Sequence, residues 1–258
     1  MLDARNVSAR QGRKHILHDI SFSAQPGQVS AIVGPSGAGK STFLKAMTGD
    51  LAYSGSITLN GQDIAQARLA DLARIRAVLS QSTPMAFPFT VIEVVRLGLI
   101  NSPGQDHIAQ SALARVGLTG FEGRFYQELS GGEQQRVQLA RILAQVWRPL
   151  GDDGVPSWLF LDEPVSSLDI GHQLQVMRIV RDFASAGGGV VMVMHDLNLT
   201  AMSADKVLLL KDGRAIDQGN PSTVFRNDQL SHAYECDLFV NRTPSTYAFI
   251  LPQSAAPS

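Results

Sequence analysis

Two hydrophobic patterns divide the chain. Ile16 to Ser23 alternates, with Ile16, Ile20 and Phe22 among its apolar positions, as a strand with one buried face does. Ser56 to Leu59 runs into Asn60-Gly61, a hairpin turn signal. Between them Val29 to Val33 is almost wholly apolar and ends on a glycine-rich loop. A helical stretch follows from about Lys40 to Met47, with Gly49 where a helix stop is expected. From about Ile92 to Val146 the spacing predicts helix, interrupted at Ser102-Pro103-Gly104 and around Gly117 to Gly123. Strands and helices then alternate: strand Trp158 to Leu161, helix Gln173 to Phe183, strands Val190 to Met194 and Val207 to Leu210. Continuous apolar strands alternating with helices predict a parallel sheet covered on both faces. The helical middle becomes an insertion, its linkers carrying Pro84, Pro88, Pro149 and Pro156.

Composition narrows the class. The chain has 258 residues, 44% hydrophobic and 17% charged, which is globular and too apolar for disorder. Lys and Arg number 22 against 23 Asp and Glu, a net charge of −1. That balance gives no whole-surface attraction to nucleic acid or anionic lipid. A single cysteine, Cys236, excludes an intrachain disulfide and fits a reducing compartment. No run approaches the roughly 18–20 apolar residues of a membrane span, and no secretory signal opens the chain. A soluble cytoplasmic protein is expected, with any membrane role exercised through a partner.

Candidate chemistry begins at Gly34-Pro35-Ser36-Gly37-Ala38-Gly39-Lys40-Ser41, followed by Thr42, which fits G-x-x-x-x-G-K-[ST] between a strand and a helix. Glycines let backbone N–H groups converge on phosphate oxygens, and the helix N-terminus adds its positive dipole end. Lys40 brings a point charge to the β/γ-phosphates, and the Ser41 hydroxyl suits Mg²⁺. Trp158 to Leu161 then leads into Asp162-Glu163 at a strand's C-terminal end, where α/β sheets bind ligands. Asp162 is a candidate Mg²⁺ holder and Glu163 a candidate base for the attacking water. Leu129-Ser130-Gly131-Gly132-Glu133-Gln134 reads as a capping box opening a helix through Val146, and its bare glycine amides make a second anion-binding tip.

Two phosphate-binding tips in one chain resemble the ATP-binding cassette ATPases, where a signature of this form completes the neighbouring subunit's ATP site. The resemblance covers nearly the whole chain, with the motifs in the family's order. It implies that Gln81, after the strand Ala77 to Ser80, contacts Mg²⁺ and water and senses a transporter. It implies that Ser166-Ser167-Leu168-Asp169 forms the D-loop and that His195 is the switch histidine. Catalytic positions would then be Glu163, His195 and Gln81, and Mg²⁺ positions Ser41, Gln81 and Asp162. ATP would contact residues 34–42 of one copy and, in trans, Ser130, Gly131, Gly132, Glu133 and Asp169 of the other. The implied fold is α/β, a P-loop NTPase of ABC type with a mostly parallel core sheet. One domain would span 1–251. Its core and N-terminal antiparallel β subdomain would occupy 1–83 and 147–251, an inserted α-helical subdomain about 84–146, and residues 252–258 a flexible tail.

One departure concerns adenine. The family's first strand usually offers an aromatic residue, yet none precedes Phe22. Arg10, Arg13 or His15 would have to stack, so loose base selectivity is expected. Val165 stands where Thr is usual. Soluble cassette ATPases of DNA repair, translation or iron–sulfur assembly usually carry a second cassette, a coiled coil or a basic arm, and this sequence carries none of them. The resemblance therefore implies the separate ATPase subunit of a bacterial importer at the cytoplasmic face of the inner membrane. Its partners would be a second copy, a permease dimer, and a periplasmic binding protein indirectly, with no nucleic acid. The permease groove is expected near Gln81 and Met85 to Val91, where Phe87, Pro88 and Phe89 are either groove or core anchors. Phe87-Pro88-Phe89-Thr90-Val91 resembles importers of iron chelates, cobalamin and haem. The insert Trp147 to Pro156, which sets Asp162 32 positions after Ser130, and Asp169-Ile170-Gly171-His172-Gln173 resemble the haem importers most. Ferric-siderophore or cobalamin cargo remains the alternative. His172, at a helix start, is read as structural rather than as a haem ligand, and no direct haem contact is expected.

Overall fold

Alternation along the strands, rather than the strands alone, organises the molecule. The computed structural model describes residues 1–81, 85, 87–100, 105–243 and 248–254. Pro84, the expected break at Ser102-Pro103-Gly104 and the end of the tail lie outside the described residues. Among the described residues the main sheet has the order β10-β9-β3-β8-β7-β6. It comprises β3 (Val29–Val33), β6 (Arg76–Leu79), β7 (Trp158–Asp162), β8 (Gly189–Val193), β9 (Lys206–Lys211) and β10 (Arg214–Gly219). All its pairs are parallel except β10 with β9. An antiparallel sheet, β2-β1-β4-β5, is built from β1 (Leu2–Gln11), β2 (Lys14–Ala24), β4 (Ser54–Leu59) and β5 (Gln62–Asp63).

Successive side chains of the parallel strands enter two separate cores, as a period of two requires. Trp158, Phe160, Val191, Val193, Leu208 and Leu210 face the antiparallel sheet. There they meet Leu2, Val7, Ile20 and Phe22, with Phe43 and Met47 of α1 (Lys40–Met47) between the layers. Leu159, Leu161, Val190, Met192, Val207 and Leu209 face the helices on the other side. The inner positions of those strands are therefore apolar on both faces. Trp158 is fully buried and its indole Nε1 donates to Asn60 Oδ1 at 3.0 Å. Truncating it to Ala would cost about 3–5 kcal/mol. Asn60 has φ 52°, as the Asn-Gly hairpin between β4 and β5 requires.

The expected helical middle contains α3 (Val91–Arg96), α4 (Asp106–Arg115) and α5 (Gly131–Gln145), with 3₁₀ turns at Leu97–Leu99 and Tyr126–Glu128. At Gly98 an added Cβ would lie 2.1 Å from the Arg141 carbonyl oxygen, so glycine lets this segment close on α5. Val94, Ile108, Leu113 and Leu139 share one buried cluster with Val190 and Met192, so these helices pack into the sheet's own core. α2 (Leu69–Ile75) leads into β6, and α6 (Ile170–Ser185) and α7 (Leu197–Ser203) follow β7 and β8. α8 (Pro221–Val224) and α9 (Asn227–Tyr234) follow β10, and Pro252–Ser254 form a 3₁₀ turn on which Gln253 donates to the Asn198 carbonyl at 3.1 Å. The insert after α5 is a closed loop: Gly151 N–H donates to Val155 O at 2.9 Å, and Leu150 pairs with Pro156. None of the described helices is long and apolar enough to cross a membrane.

Candidate active site

β3, β7 and β8 end side by side, and the polar residues just beyond them form one constellation. After β3 the chain turns at Gly34, where φ is 148° and an added Cβ would lie 2.1 Å from the Leu210 carbonyl oxygen. Gly39 then caps α1 in the left-handed region, with no side-chain cap and no acidic residue in the helix's first turn. The Lys40 ammonium is folded back onto this loop, donating to Gly34 O at 2.8 Å and Pro35 O at 2.9 Å. Burial pushes Lys40 below its ordinary value, while the carboxylates of Glu163 and Asp162 pull it up. A cation held by two carbonyls, beside helix amides without a carboxylate partner, is preorganised for an anion.

Asp162 closes β7 and is nearly buried. It accepts from Ser41 Oγ at 2.9 Å, so both expected cation-holding oxygens meet. Burial raises the Asp162 carboxyl above its ordinary range. The Ser41 hydrogen bond opposes that shift, Glu163 adds to it, and Lys45 and Lys40 oppose it. A hydroxyl and a desolvated carboxylate are hard oxygen donors, the set that Mg²⁺ takes. The residues fit the ion. Groups of three or more His, Cys, Asp or Glu suited to a metal are absent among the described residues.

Glu163 stands one residue further and is the point of convergence. Its carboxylate receives Gln81 Nε2 at 3.3 Å and lies 2.6 Å from His195 Nε2. Its φ of 53° is left-handed, a strain of about 1–3 kcal/mol for a non-glycine residue. Its own N–H donates to Val193 O at 3.2 Å, which ties the turn to β8. Residues 34–42, Gln81, Asp162, Glu163 and His195 are thus brought to one edge of the sheet.

The signature residues are not brought to that loop. Among the described residues no hydrogen bond joins Ser130, Gly131, Gly132 or Glu133 to residues 34–42. Ser130 N–H and Oγ instead donate to Glu133 Oε2 at 2.8 and 2.7 Å, and Glu133 N–H returns to Ser130 Oγ at 3.3 Å. Asp169 caps α6 in cis, accepting His172 N–H at 2.9 Å with His172 Nδ1 2.8 Å from its other oxygen. The α5 tip faces Asp162 and Gln81 across a cavity of about 410 Å³, lined also by Gln135, Ser167 and Leu79. A larger cleft of about 1040 Å³, beside Asn60, His107 and Trp147, lies against the insert and carries no glycine phosphate loop.

Two site residues escape motif spacing. Gln135 Nε2 donates to Glu163 O at 2.9 Å while its Oε1 accepts from Ser167 N–H at 3.2 Å. Gln173 Nε2 reaches Val165 O and Leu168 O at 3.3 and 3.1 Å. A glutamine on a helix gives no local signal for such reach. On the hairpin side Arg10 pairs with His15 across the β1–β2 turn, and His15 stacks on His18 with ring centroids 5.8 Å apart. Ile16 of this hairpin touches the loop, its Cγ2 3.6 Å from where a Gly39 Cβ would be.

Known proteins resemble this chain in sequence and in fold. The sequence profile of the ABC transporter family matches residues 17–166. The chain is 58% identical over 258 residues to the hemin import ATP-binding protein HmuV of Jannaschia sp. (strain CCS1), covering 99% of this chain and 95% of the relative. It is 54% identical over 262 residues to the protein of that name from Mesorhizobium japonicum, covering 99% of each. Among solved structures, an ATP-binding subunit of an ABC transporter superposes with a TM-score of 0.78 at 21% identity, covering 91% of this chain and 98% of that one. A bacterial Atm1-family ABC exporter with ATP bound superposes with a TM-score of 0.76 at 28% identity, covering 91% of this chain and 41% of that one.

Proposed function

We propose a function from one premise: this chain belongs to the ABC transporter family, as an ATP-binding subunit with ATPase activity. The finer reading is that it drives a bacterial haem importer, because relatives 58% and 54% identical over nearly the full length bear the name hemin import. The observation that carries the hydrolytic assignment is the convergence of Gln81 and His195 on Glu163, beside the Ser41–Asp162 pair and the Lys40 loop.

Lys40 and the backbone N–H groups of residues 36–41 bind the β- and γ-phosphates of ATP. Ser41 and Asp162, with Gln81 nearby, would hold Mg²⁺, which supplies charge neutralisation on the phosphates when bound. Glu163 takes the proton of the attacking water, and His195 and Gln81 keep its carboxylate oriented. Two copies meet head-to-tail, so that Ser130, Gly131, Gly132 and Glu133 of one, with Asp169 beside them, complete the other's site. The self-capped state of Ser130 and Glu133 supports this, since the tip offers the remaining glycine amides rather than a full phosphate cradle. Binding then closes the dimer and hydrolysis reopens it, a population shift passed to a permease. The exposed Phe87, Ile100 and Phe125 around α3 suit docking of that permease at the cytoplasmic face of the inner membrane.

Glu163→Gln should bind ATP normally and lose hydrolysis by about 10²–10⁴-fold. Near-normal turnover would remove Glu163 from its role. For the cargo, the chain is reconstituted with its permease in vesicles. ATPase stimulation by a haem-loaded binding protein should exceed that by ferric-siderophore-loaded or cobalamin-loaded ones, and the opposite ranking would transfer the assignment.

A further inference from the structure

The turn from Glu163 to Leu168 is held from both sides by glutamine side chains. From α5, the Gln135 amide donates to Glu163 O at 2.9 Å and accepts from Ser167 N–H at 3.2 Å. One neutral side chain thereby spans both ends of the turn, as a paired strand would. From α6, Gln173 holds Val165 O and Leu168 O. Ser166 Oγ also donates to Glu163 O at 3.2 Å. The α5 tip itself presses on the turn: a Cβ on Gly132 would lie 3.0 Å from Ser167 O and 3.3 Å from Leu168 Cδ2. The Glu163 backbone is thus fixed through a carbonyl gripped from α5, while its carboxylate is held by Gln81 and His195.

We propose that Gln135 is a positioning residue that couples the two ATP sites, transmitting engagement of the α5 tip to Glu163 of the same chain. The inference rests on the head-to-tail assembly proposed for this chain, in which Ser130–Gly132 serve the partner's nucleotide while Glu163 serves its own. Gln135 follows Ser130 by five residues, about 7.5 Å along a helix that moves as a unit. A shift of the tip toward a phosphate therefore carries the amide with it, and the amide carries the Glu163 carbonyl. Because Glu163 sits in a strained left-handed conformation, a small displacement of its peptide redirects its carboxylate. Glutamine suits this double grip because its amide has both a donor and an acceptor. Glu lacks the donor, Asn is one methylene shorter and Leu has neither group.

The test is ATP hydrolysis against ATP concentration in the reconstituted importer. The wild type should be sigmoidal, with a Hill coefficient approaching the number of sites. Gln135→Leu should bring the coefficient to about one, removing the roughly 5–150-fold effect of one bound ATP on affinity for the second, and should lower kcat. ADP affinity of the isolated chain should be unchanged, since Gln135 touches no residue of the phosphate loop. Gln173→Leu loosens the same turn without a link to the signature tip, and should lower kcat with the Hill coefficient retained. Gln135→Glu keeps the acceptor for Ser167 N–H, so it guards against a folding failure and should also lose cooperativity. A Gln135→Leu protein as cooperative as the wild type overturns the inference, as does an equal loss in Gln173→Leu. Hyperbolic wild-type kinetics overturn it too, and activity in Ser130→Arg would then show that the head-to-tail assembly had failed with it.

Discussion

The chain presents two glycine-flanked helix N-termini built for opposite situations. At α1 the cap is Gly39, no carboxylate stands in the first turn, and Lys40 opens the helix. At α5 the cap is Ser130, and the helix's own Glu133 carboxylate takes both the Ser130 N–H and its hydroxyl. The first tip leaves its dipole end and a buried ammonium for an external anion. The second has spent its Ser130 donors on its own Glu133 carboxylate, leaving the Gly131 and Gly132 amides, which have no intrahelical partner. One tip can hold a triphosphate alone; the other can only complete a site that already exists. The head-to-tail assembly proposed for this chain answers that difference by setting each second tip against a first tip.

Complementation is the strongest way to break that comparison. Lys40→Ala removes a charge-assisted donor from the first tip, and Ser130→Arg fills the second. Each variant alone should be inactive, because both sites of its dimer carry the defect. Mixed in equal amounts they should regain hydrolysis up to about a quarter of wild type, the ceiling set by half of the dimers being heterodimers with one intact site of two. No regain, with dimers demonstrated by mass, would mean that both tips act on one nucleotide within a single chain. Nucleotide binding by the isolated chain separates them further. Lys40→Ala should weaken it by about 10–100-fold, as loss of a charged hydrogen bond does, and Ser130→Arg should leave it alone.

The difference between the tips was legible in sequence, while the contacts that join them were not. Spacing alone identified Gly34 to Ser41, Asp162-Glu163 and the Ser130–Glu133 capping box, because each rests on residues a few positions apart. The grip of Gln135 on Glu163 and Ser167 spans about 30 residues and leaves no local pattern. β1 also escaped, since Asn6 takes φ 52° and register shifts interrupt its pairing with β2. The long helical stretch was right in kind, but its 3₁₀ turn at Leu97–Leu99 reflects contact of Gly98 with α5, which only packing decides. The hairpin offers aliphatic rather than aromatic contacts to the phosphate loop: Leu17 and Ile16 lie against Gly39.

A thermal measurement sharpens the first tip. Burial raises the Asp162 carboxyl in the folded chain, whereas unfolding returns it to the ordinary value. The folded state binds that proton more tightly, so stability falls as pH rises between the two values and stays lowered above the raised one. Asp162→Asn removes the buried charge and keeps an acceptor for Ser41 Oγ. It should melt higher than the wild type at neutral pH without nucleotide, by about 2–4 °C for each kcal/mol recovered. Added ATP and Mg²⁺ should stabilise the wild type more and reverse the order. A lower melting temperature in the variant without nucleotide would show that Lys40 and Lys45 already compensate the carboxylate in full.

The smallest effect isolates what is special about the second tip, because the chain contains a near copy of it. Thr90 and Glu93 open α3 with matching geometry: Thr90 N–H and Oγ1 donate to Glu93 Oε2 at 2.8 and 2.7 Å. In both boxes these hydrogen bonds hold the glutamate below the ordinary carboxylate range. The depressed folded value means that each box stabilises the chain above the ordinary carboxylate pKa. That stability is lost as pH falls through the lowered one. Ser130→Ala and Thr90→Ala should each cost about 0.5–2 kcal/mol as lost caps, with the deficit shrinking together in acid. Hydrolysis by the reconstituted complex should nevertheless fall further in Ser130→Ala, at a temperature where both variants are folded. In the head-to-tail assembly proposed here the Ser130 end of α5 and its glycine amides meet a nucleotide, whereas Thr90 is followed by Val91 and Ile92. Equal losses of hydrolysis would reduce the α5 tip to an ordinary helix start.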